Sequence, residues 1–572
     1  MELIARAIEI HDGDPAYRSN LAIALRALNR LDEAIDQLRQ AIGADPDYAV
    51  AHKNLGVTLN QLGRSKEAAK HLERAIDLSP DDAGAHKSLG LAMLNQGRPD
   101  QAIEHFSRAS ALKPDDHEAA NNLGVVLKDI GRLDEAVTTF RRALRLRPEF
   151  AEAHNNLGTA LSIQGKLTEA LESFREALRN DPNCVDALHN LGAALRDLGQ
   201  LREGEKFLRE AIQRSPGDVE AHNNLGADLQ SQGRYDEAMA EYQYVLRARP
   251  DHVWAHFNRS TVLLAEGDFE HGWLEYEWRL KRPGLAVRTF RRPYWDGSDR
   301  PDHTLLLYAE QGLGDTLQFI RYASMARRRV GKVIVECQQL LAPLLSRCKG
   351  IDQLIARGSD LPEFDCHAPL MSLPGIMKTS SANVPADLPY LFADPKLVSQ
   401  WLPKLQSLEG FRVGINWQGN PKFRRDHHRS MPLACFAPLA EVTGVRLLSL
   451  QWGPGREQLD DGSLGFEVLD FGDDLDKASG AFMDRAAIMS GIDLLITSDT
   501  AIAHLAGGMG LPVWVAVPFS PDWRWGLDGQ GCPWYPSMRL FRQHRLGNWK
   551  TVFGEMADRL AEMVGERGGK PC

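Results

Sequence analysis

A Leu-Gly pair returns every 34 residues through the first half of the chain: Leu55-Gly56, Leu89-Gly90, Leu123-Gly124, Leu157-Gly158, Leu191-Gly192 and Leu225-Gly226. Pro46, Pro80, Pro114, Pro148, Pro182, Pro216 and Pro250 keep the same step. So do Ala34, Ala68, Ala102, Ala136, Ala170 and Ala238, with Gly204 and Gly272 at that register in two units. A fixed period of this length means stacked supersecondary units rather than one closed core. The small residue on one helix and the alanine on the next let the two helices approach closely. The proline ends the pair and opens the following unit. One such hairpin cannot bury its apolar face alone, so neighbours stack into a superhelix.

The pattern resembles the tetratricopeptide family, with about eight units over residues 1–282. The chain starts mid-unit, since Ala7 falls 34 residues before Ala41. A second column runs two residues ahead of the small position: Asn20, Asn54, Asn122, Asn156, Asn190, Asn224 and Asn258, with Ser88 the only break. Stacking aligns these amides along one inner surface. An amide both donates and accepts, so a row of them suits a peptide backbone in the groove. A similar asparagine ladder occurs in the repeats of O-GlcNAc transferase, where it grips extended polypeptide. The alternative is that each amide bonds within the scaffold.

The remaining half needs a different architecture. At 572 residues the chain exceeds what one core supports. A formal net charge of -10 gives no electrostatic case for nucleic acid or an anionic membrane. The seven cysteines form no CxxC pair, which argues against a disulfide framework or zinc site and for a reducing, cytoplasmic setting. Glu2, Arg6, Glu9, Asp12 and Asp14 interrupt any signal-peptide core. Residues 500–521 lack Asp (after Asp499), Glu, Lys and Arg, yet Gly507, Gly508, Gly510, Pro512 and Pro518 break them up. They read as a buried helix, a stop and a parallel strand, not as a transmembrane segment.

Repeat character fades at Gly272, and residues 283–303 read as a packed linker rich in turn formers and aromatics. Thr304–Tyr308 then reads as a strand, followed by Glu310-Gln-Gly-Leu-Gly-Asp315, a helix from Thr316 to Arg329, and strands at 332–337 and 353–357. Strand, glycine turn, helix and strand open a Rossmann-like unit over residues 304–400. Its ligand end is the carboxyl end of the strands. Asp315 stands there either as general base or as N-cap of the helix. A second such unit spans residues 401–572. Phe411–Trp417 is its first strand, Gln418–Arg429 a loop dense in cations, and Leu494–Asp499 a strand running into a helix at Thr500. Free amides at Thr500 and Ala501 suit a diphosphate. Lys422, Arg424, Arg425 and Arg429 suit a leaving group, Lys422 and Arg429 before the middle pair. His504 follows one turn later, as a ligand contact or a core histidine. Trp417, Trp452, Trp514, Trp523, Trp525 and Trp534 read as core.

Glu310-Gln-Gly-Leu-Gly-Asp-Thr-Leu-Gln-Phe319 and Asp499-Thr-Ala-Ile-Ala-His-Leu-Ala506, with Gly510-Leu-Pro-Val-Trp514, resemble the heptosyltransferase family of glycosyltransferases, and more closely bacterial tetratricopeptide proteins carrying such a domain. The resemblance implies a GT-B fold, with two Rossmann-like domains, acceptor on the first and nucleotide sugar on the second. It implies inverting transfer without a metal, the nucleotide sugar being a co-substrate and no cofactor being needed. It makes Asp315 the base, and it assigns Gly314, Lys422, Arg429, Asp499, Thr500, Ala501 and His504 to the donor. It also sends the C-terminal helix, residues 549–564, back across the first domain. The repeats depart from lipopolysaccharide heptosyltransferases, which puts ADP-heptose and a lipid-linked acceptor in doubt. Three functions stay open: a transferase acting on a protein held by the repeats, one acting on a glycan or lipid-linked saccharide, and a non-catalytic scaffold with a vestigial GT-B half.

Overall fold

The computed structural model describes residues 14–283, 288–421, 426–460, 462, 464–472 and 475–568. It divides into two compact units, Met1–Pro216 and Gly217–Cys572.

The first unit is a tetratricopeptide superhelix. Helices Pro15–Ala27 and Leu31–Ala44 form its first described pair, and helices Val185–Asp197 and Leu201–Arg214 its last. The second helix of each pair is amphipathic with a narrow apolar stripe. Leu133–Leu146 buries Ala136, Val137, Phe140 and Ala143, a spacing that keeps one face inward. The small column does what close packing requires. A methyl on Gly124 would come within 2.6 Å of Phe140, and one on Gly56 within 2.4 Å of Leu72. The turn between paired helices needs a left-handed residue, met by glycine from Gly63 to Gly199 and by Asn29 at φ 58 in the first pair.

The second unit holds the last two repeats and two parallel sheets. Helices Val219–Ser231, Tyr235–Ala248, Val253–Glu266 and Phe269–Tyr276 form the repeats. The first sheet comprises β1 (Arg300–Tyr308), β2 (Val330–Cys337), β3 (Gln353–Ala356) and β4 (Cys366–Pro369), in the order β3-β2-β1-β4. The second comprises β5 (Phe411–Asn416), β6 (Val445–Ser449), β7 (Leu494–Ser498), β8 (Val513–Val517) and β9 (Met538–Arg542), in the order β6-β5-β7-β8-β9. All pairings are parallel. In each sheet the chain steps outward from its first strand and then returns to that strand's other side. The reversal lies between β1 and β4 in one sheet and between β5 and β7 in the other. Crevices at such points, outside the carboxyl ends of the strands, are where open parallel sheets take ligands.

One apolar core runs from the last repeat through both sheets, joining Phe269, Trp273 and Tyr276 to Leu305, Phe319, Ile502, Trp523 and Trp534. The described part of the linker packs on the first sheet. Trp295 is buried and donates its N–H to His367 O at 2.8 Å, and Phe290 stacks among Tyr308, Phe364 and His367.

Three local expectations change. The helix after β1 starts at Leu313, not Thr316, so Asp315 is its third residue rather than its cap. The Asp315 carboxylate reaches back to accept the Gly312 N–H at 2.9 Å. The C-terminal helix, Trp549–Gly568, stays on the second sheet instead of crossing to the first. Its Val552, Phe553, Met556 and Leu560 fill a core with Val413, Phe436 and Ile496, and the Phe436 and Phe553 rings lie 4.5 Å apart. That apolar stripe has its complement on the second sheet, and this decides the docking. Trp452, read as core, is 44% exposed on the turn after β6, while the other five named tryptophans are buried.

Candidate functional site

The two switch points face each other. Helix Leu313–Phe319, which follows β1, packs directly on helix Ala501–Gly508, which follows β7. Gly314 makes the approach possible. A methyl there would meet His504 Cδ2 at 3.0 Å and Ala501 Cα at 3.4 Å. Gly314, Asp315, Ala501 and His504 therefore belong to one junction, and Gly314's visible role is helix packing.

Thr500 is the N-cap of the second helix, and its hydroxyl donates to Asn416 Oδ1 at 3.0 Å, tying the helix mouth to the end of β5. Thr497 donates to the same oxygen at 3.3 Å. Asn416 in turn donates to Gln451 Oε1 at 2.9 Å. The carboxyl ends of β5, β6 and β7 are thus joined by side-chain hydrogen bonds, which preorganise the helix mouth.

Asp499 precedes that mouth. Burial, with Asp522 nearby, pushes its carboxyl up to about 6, against the opposing pull of Arg429 and Arg524. Arg429 donates to Asp426 Oδ1 at 3.0 Å, and Asp426 also receives the Ser430 hydroxyl at 2.7 Å. These bonds hold Arg429 near enough to Asp499 to act on it. Gly419 must lack a side chain here, because a methyl would sit 2.4 Å from Asp426 Oδ1. Lys422, Arg424 and Arg425 lie outside the described residues.

His504 is buried, with Nδ1 3.0 Å from the Tyr535 hydroxyl and its ring stacked on Trp525. Burial, then the nearby Arg524, Arg321 and Arg429, holds its pKa well below the ordinary imidazole range. It is a neutral ring among cations, suited to hydrogen bonding and not to supplying charge.

The residue that ties the site together was not legible as such in the sequence. Arg524 is 7% exposed. It donates to Asp315 Oδ1 at 2.5 Å, to Asp522 Oδ1 at 2.8 Å and to Gln318 Oε1 at 2.6 Å. Burial opposes its charge, but Asp522 and Asp315 outweigh burial and raise its pKa. Asp315 itself is 22% exposed at the side chain. Arg321 is a second bridge, donating to Trp534 O at 2.7 Å and to the Tyr390 hydroxyl at 2.9 Å. The only signal for Arg524 was a charge set between aromatics in Asp522-Trp-Arg-Trp525.

The last repeat reaches the same place. Tyr276 is buried, its phenol pushed up to about 12 by burial, with Arg524, Arg279 and Asp315 all close enough to act on it. Trp273 meets Trp523 edge-on at 5.3 Å and donates its indole N–H to Thr379 O at 2.9 Å. Arg279, fully buried, binds Glu310 at 2.9 Å and Ser372 at 2.7 Å, so the start of the glycine turn is fixed from the repeat side.

In the repeats, four asparagines of the column bond along the scaffold. Asn54 donates to Ser19 Oγ at 2.9 Å, Asn156 to Asn121 Oδ1 at 3.1 Å, Asn190 to Asn155 Oδ1 at 3.0 Å and Asn258 to Asn223 Oδ1 at 3.2 Å. Each bond joins neighbouring repeats. Asn122, Asn156, Asn190, Asn224 and Asn258 are half-buried and Asn54 is buried. Those four amide nitrogens are engaged between repeats.

Tetratricopeptide-repeat models match residues 19–83, 87–149, 127–184, 157–219 and 219–252. Protein FlbA of Caulobacter vibrioides is 28% identical over 297 residues, covering 47% of this chain and 48% of FlbA. TPR repeat-containing thioredoxin TTL4 of Arabidopsis thaliana is 47% identical over 53 residues, 9% of this chain and 8% of that protein. The chain thus spans about half the length of FlbA and under a tenth of TTL4. Among solved structures, YrrB, a TPR protein with an unusual peptide-binding site, is 27% identical. It covers 32% of this chain and 96% of its own, with a TM-score of 0.29. The Cut9–Hcn1 hetero-tetramer of APC/C is 18% identical and covers 46% and 52%, with a TM-score of 0.39. No helix among the described residues is long and apolar enough to cross a membrane. Period, helix pairing and matched models agree that the helical half of this chain is a tetratricopeptide-repeat array.

Proposed function

We propose that the two-sheet half is a GT-B glycosyltransferase and that the repeats hold its protein acceptor or a partner. The observation that carries this reading is the junction itself. Asp315, on the helix after the first sheet's central strand, stands across from a helix mouth with no side-chain cap at the second sheet's switch point, Asp499-Thr500-Ala501. A carboxylate on one side and free helix amides on the other are what a single displacement needs.

In that displacement the acceptor hydroxyl oxygen forms a bond to the anomeric carbon of a nucleotide sugar. The bond from that carbon to the diphosphate oxygen breaks, and its electron pair leaves with the nucleoside diphosphate. Asp315 takes the hydroxyl proton. The amides of Thr500 and Ala501, with Arg429, stabilise the departing diphosphate, and attack from the opposite face inverts the centre. No metal or cofactor enters the reading.

A non-catalytic scaffold is favoured by one observation. Both Asp315 oxygens are already engaged, one with Arg524 and the other with the Gly312 N–H. A thermal-shift panel of UDP-, GDP-, ADP- and dTDP-sugars separates the two. One donor at a hundredfold excess over its Kd raises stability by about 2.7 kcal/mol. Stabilisation by one class, followed by a sugar-sized mass gain on a protein or peptide acceptor, supports transfer. No shift with any donor supports the scaffold.

A further inference from the structure

Arg524 has a geometry beyond that of a structural ion pair. Its guanidinium carries donors in a planar fork, and three of its nitrogens are committed: Nη2 to Asp315, Nη1 to Asp522 and Nε to Gln318. Asp315 and Gln318 lie one turn apart on the Leu313 helix, while Asp522 lies on Arg524's own turn after β8. The cation therefore ties an element of the second sheet to the face of the first sheet's helix that carries the candidate base. Its Cζ lies over two aromatic rings, 4.4 Å from the Trp523 centre and 5.6 Å from that of Phe319. Trp523 is itself held by Trp273 and Tyr276 of the last repeat, at 5.3 and 5.8 Å. A buried cation is retained only where its hydrogen bonds are satisfied, so its position is tightly set.

We propose that Arg524 is the positioning residue for Asp315: it fixes the carboxylate's orientation toward the acceptor, and the last repeat fixes Arg524. The proposal rests on the sugar-transfer reading. With Oδ1 held by Arg524 and Oδ2 by the Gly312 N–H, the carboxylate cannot rotate, and the remaining lone pairs keep a fixed direction for the incoming proton. Lysine cannot reproduce this, because its point charge replaces a fork that spans three acceptors.

The test uses the full chain and nucleoside-diphosphate release from the same sugar panel, with wild type, Arg524→Lys, Arg524→Ala and Asp315→Asn compared. Misorientation of a reacting group costs roughly 100-fold. Arg524→Ala is therefore expected to lose about that factor in kcat, with KM for the donor unchanged, and added guanidinium ion is expected to recover part of it. Arg524→Lys is expected to stay folded and still fall well below wild type. Asp315→Asn is expected to be inactive and not rescued by guanidinium. Wild-type kcat in Arg524→Lys and Arg524→Ala, with Asp315→Asn inactive, overturns the positioning role and leaves sugar transfer intact. A loss of Arg524→Ala activity that tracks a fallen Tm, with no rescue and full activity in the lysine variant, also overturns it. No release by wild type from any donor overturns the sugar-transfer reading, and the positioning role falls with it.

Discussion

The repeats between Pro15 and Arg214 and the two between Val219 and Tyr276 share one 34-residue period but spend their outer faces differently. In the earlier group, second helices run 14 residues and are held by alanine columns and one large residue per pair, such as Phe106, Phe140 or Phe174. In the last pair the second helix shortens to 8 residues, Phe269–Tyr276, and passes into a 3-10 turn carrying the buried Arg279. Its buried residues are Phe269, Gly272, Trp273 and Tyr276; Gly272 packs on Leu264 of the paired helix, while the three aromatics join the core of the α/β half. The two groups also differ in a single polar register. His52 faces His71 and His86 faces His105, each with Nδ1 atoms 3.2 Å apart, whereas His222 faces Glu241 and His256 faces Glu275. A period fixes the element; the residues outside its consensus decide whether a repeat stacks on its own kind or becomes a foundation for another fold.

The largest break in this comparison is expected from Trp273→Ala. Removing a buried indole with its hydrogen bond costs about 3–5 kcal/mol. Hydrogen exchange is expected to rise throughout the Gly217–Cys572 unit and to stay unchanged in helices between Ala49 and Asn180; uniform loss across both would contradict the division. Gly124→Ala is the counterpart in the first unit. Its methyl meets Phe140 at 2.6 Å, so a cost of about 1–3 kcal/mol is expected, confined to adjacent repeats and leaving the C-terminal transition in calorimetry in place.

Acid sharpens the contrast at single groups, because Asp499 responds in the direction opposite to His71 and His105. Burial, then the facing His52 or His86, depresses the pKa of His71 and His105 in the folded chain. Arg39 and Lys70 add to this at His71, and Glu67 opposes it. The unfolded chain binds those protons first, so this contribution is present above about pH 6.5 and is lost as pH falls. Asp499 is the reverse. Its folded value is raised to about 6, so the folded state keeps the proton longer than the unfolded one. The penalty for burying it is full above that pH and shrinks toward pH 4. Between pH 7 and pH 5, exchange protection factors are expected to fall near His71 and His105. Asp499→Asn is expected to stabilise the second unit at pH 7 by on the order of 1–2 kcal/mol, and by less at pH 5. A stabilisation independent of pH would contradict the Asp499 assignment. The smallest effect is expected from Asn156→Ala, about 1 kcal/mol from one lost inter-repeat hydrogen bond, read as a shift in urea midpoint without a change in slope.

Much of the fold was legible, because periodicity and strand–glycine–helix patterns report packing along the chain. The 34-residue step gave the helices, and every strand expected in the second half appears within a few residues of its place, while β4 and β9 were not foreseen. Asp315, Thr500 and His504 were legible as a set because each sits on a motif at a strand end. Arg524 was not, since its meaning comes from Asp315 and Gln318 some two hundred residues away. Tyr276 was hidden for the same reason: a repeat consensus does not say which outer face will be covered. The C-terminal helix was misplaced because an amphipathic stripe says that a face is buried but not against which sheet.

The most direct measurement compares wild type with Asp315→Asn for sugar transfer and for donor binding on the same preparation. The account predicts that the variant binds the nucleotide sugar as wild type does and transfers none of it, a loss of at least about 100-fold in kcat. Transfer at the wild-type rate by Asp315→Asn, with binding intact, would contradict it.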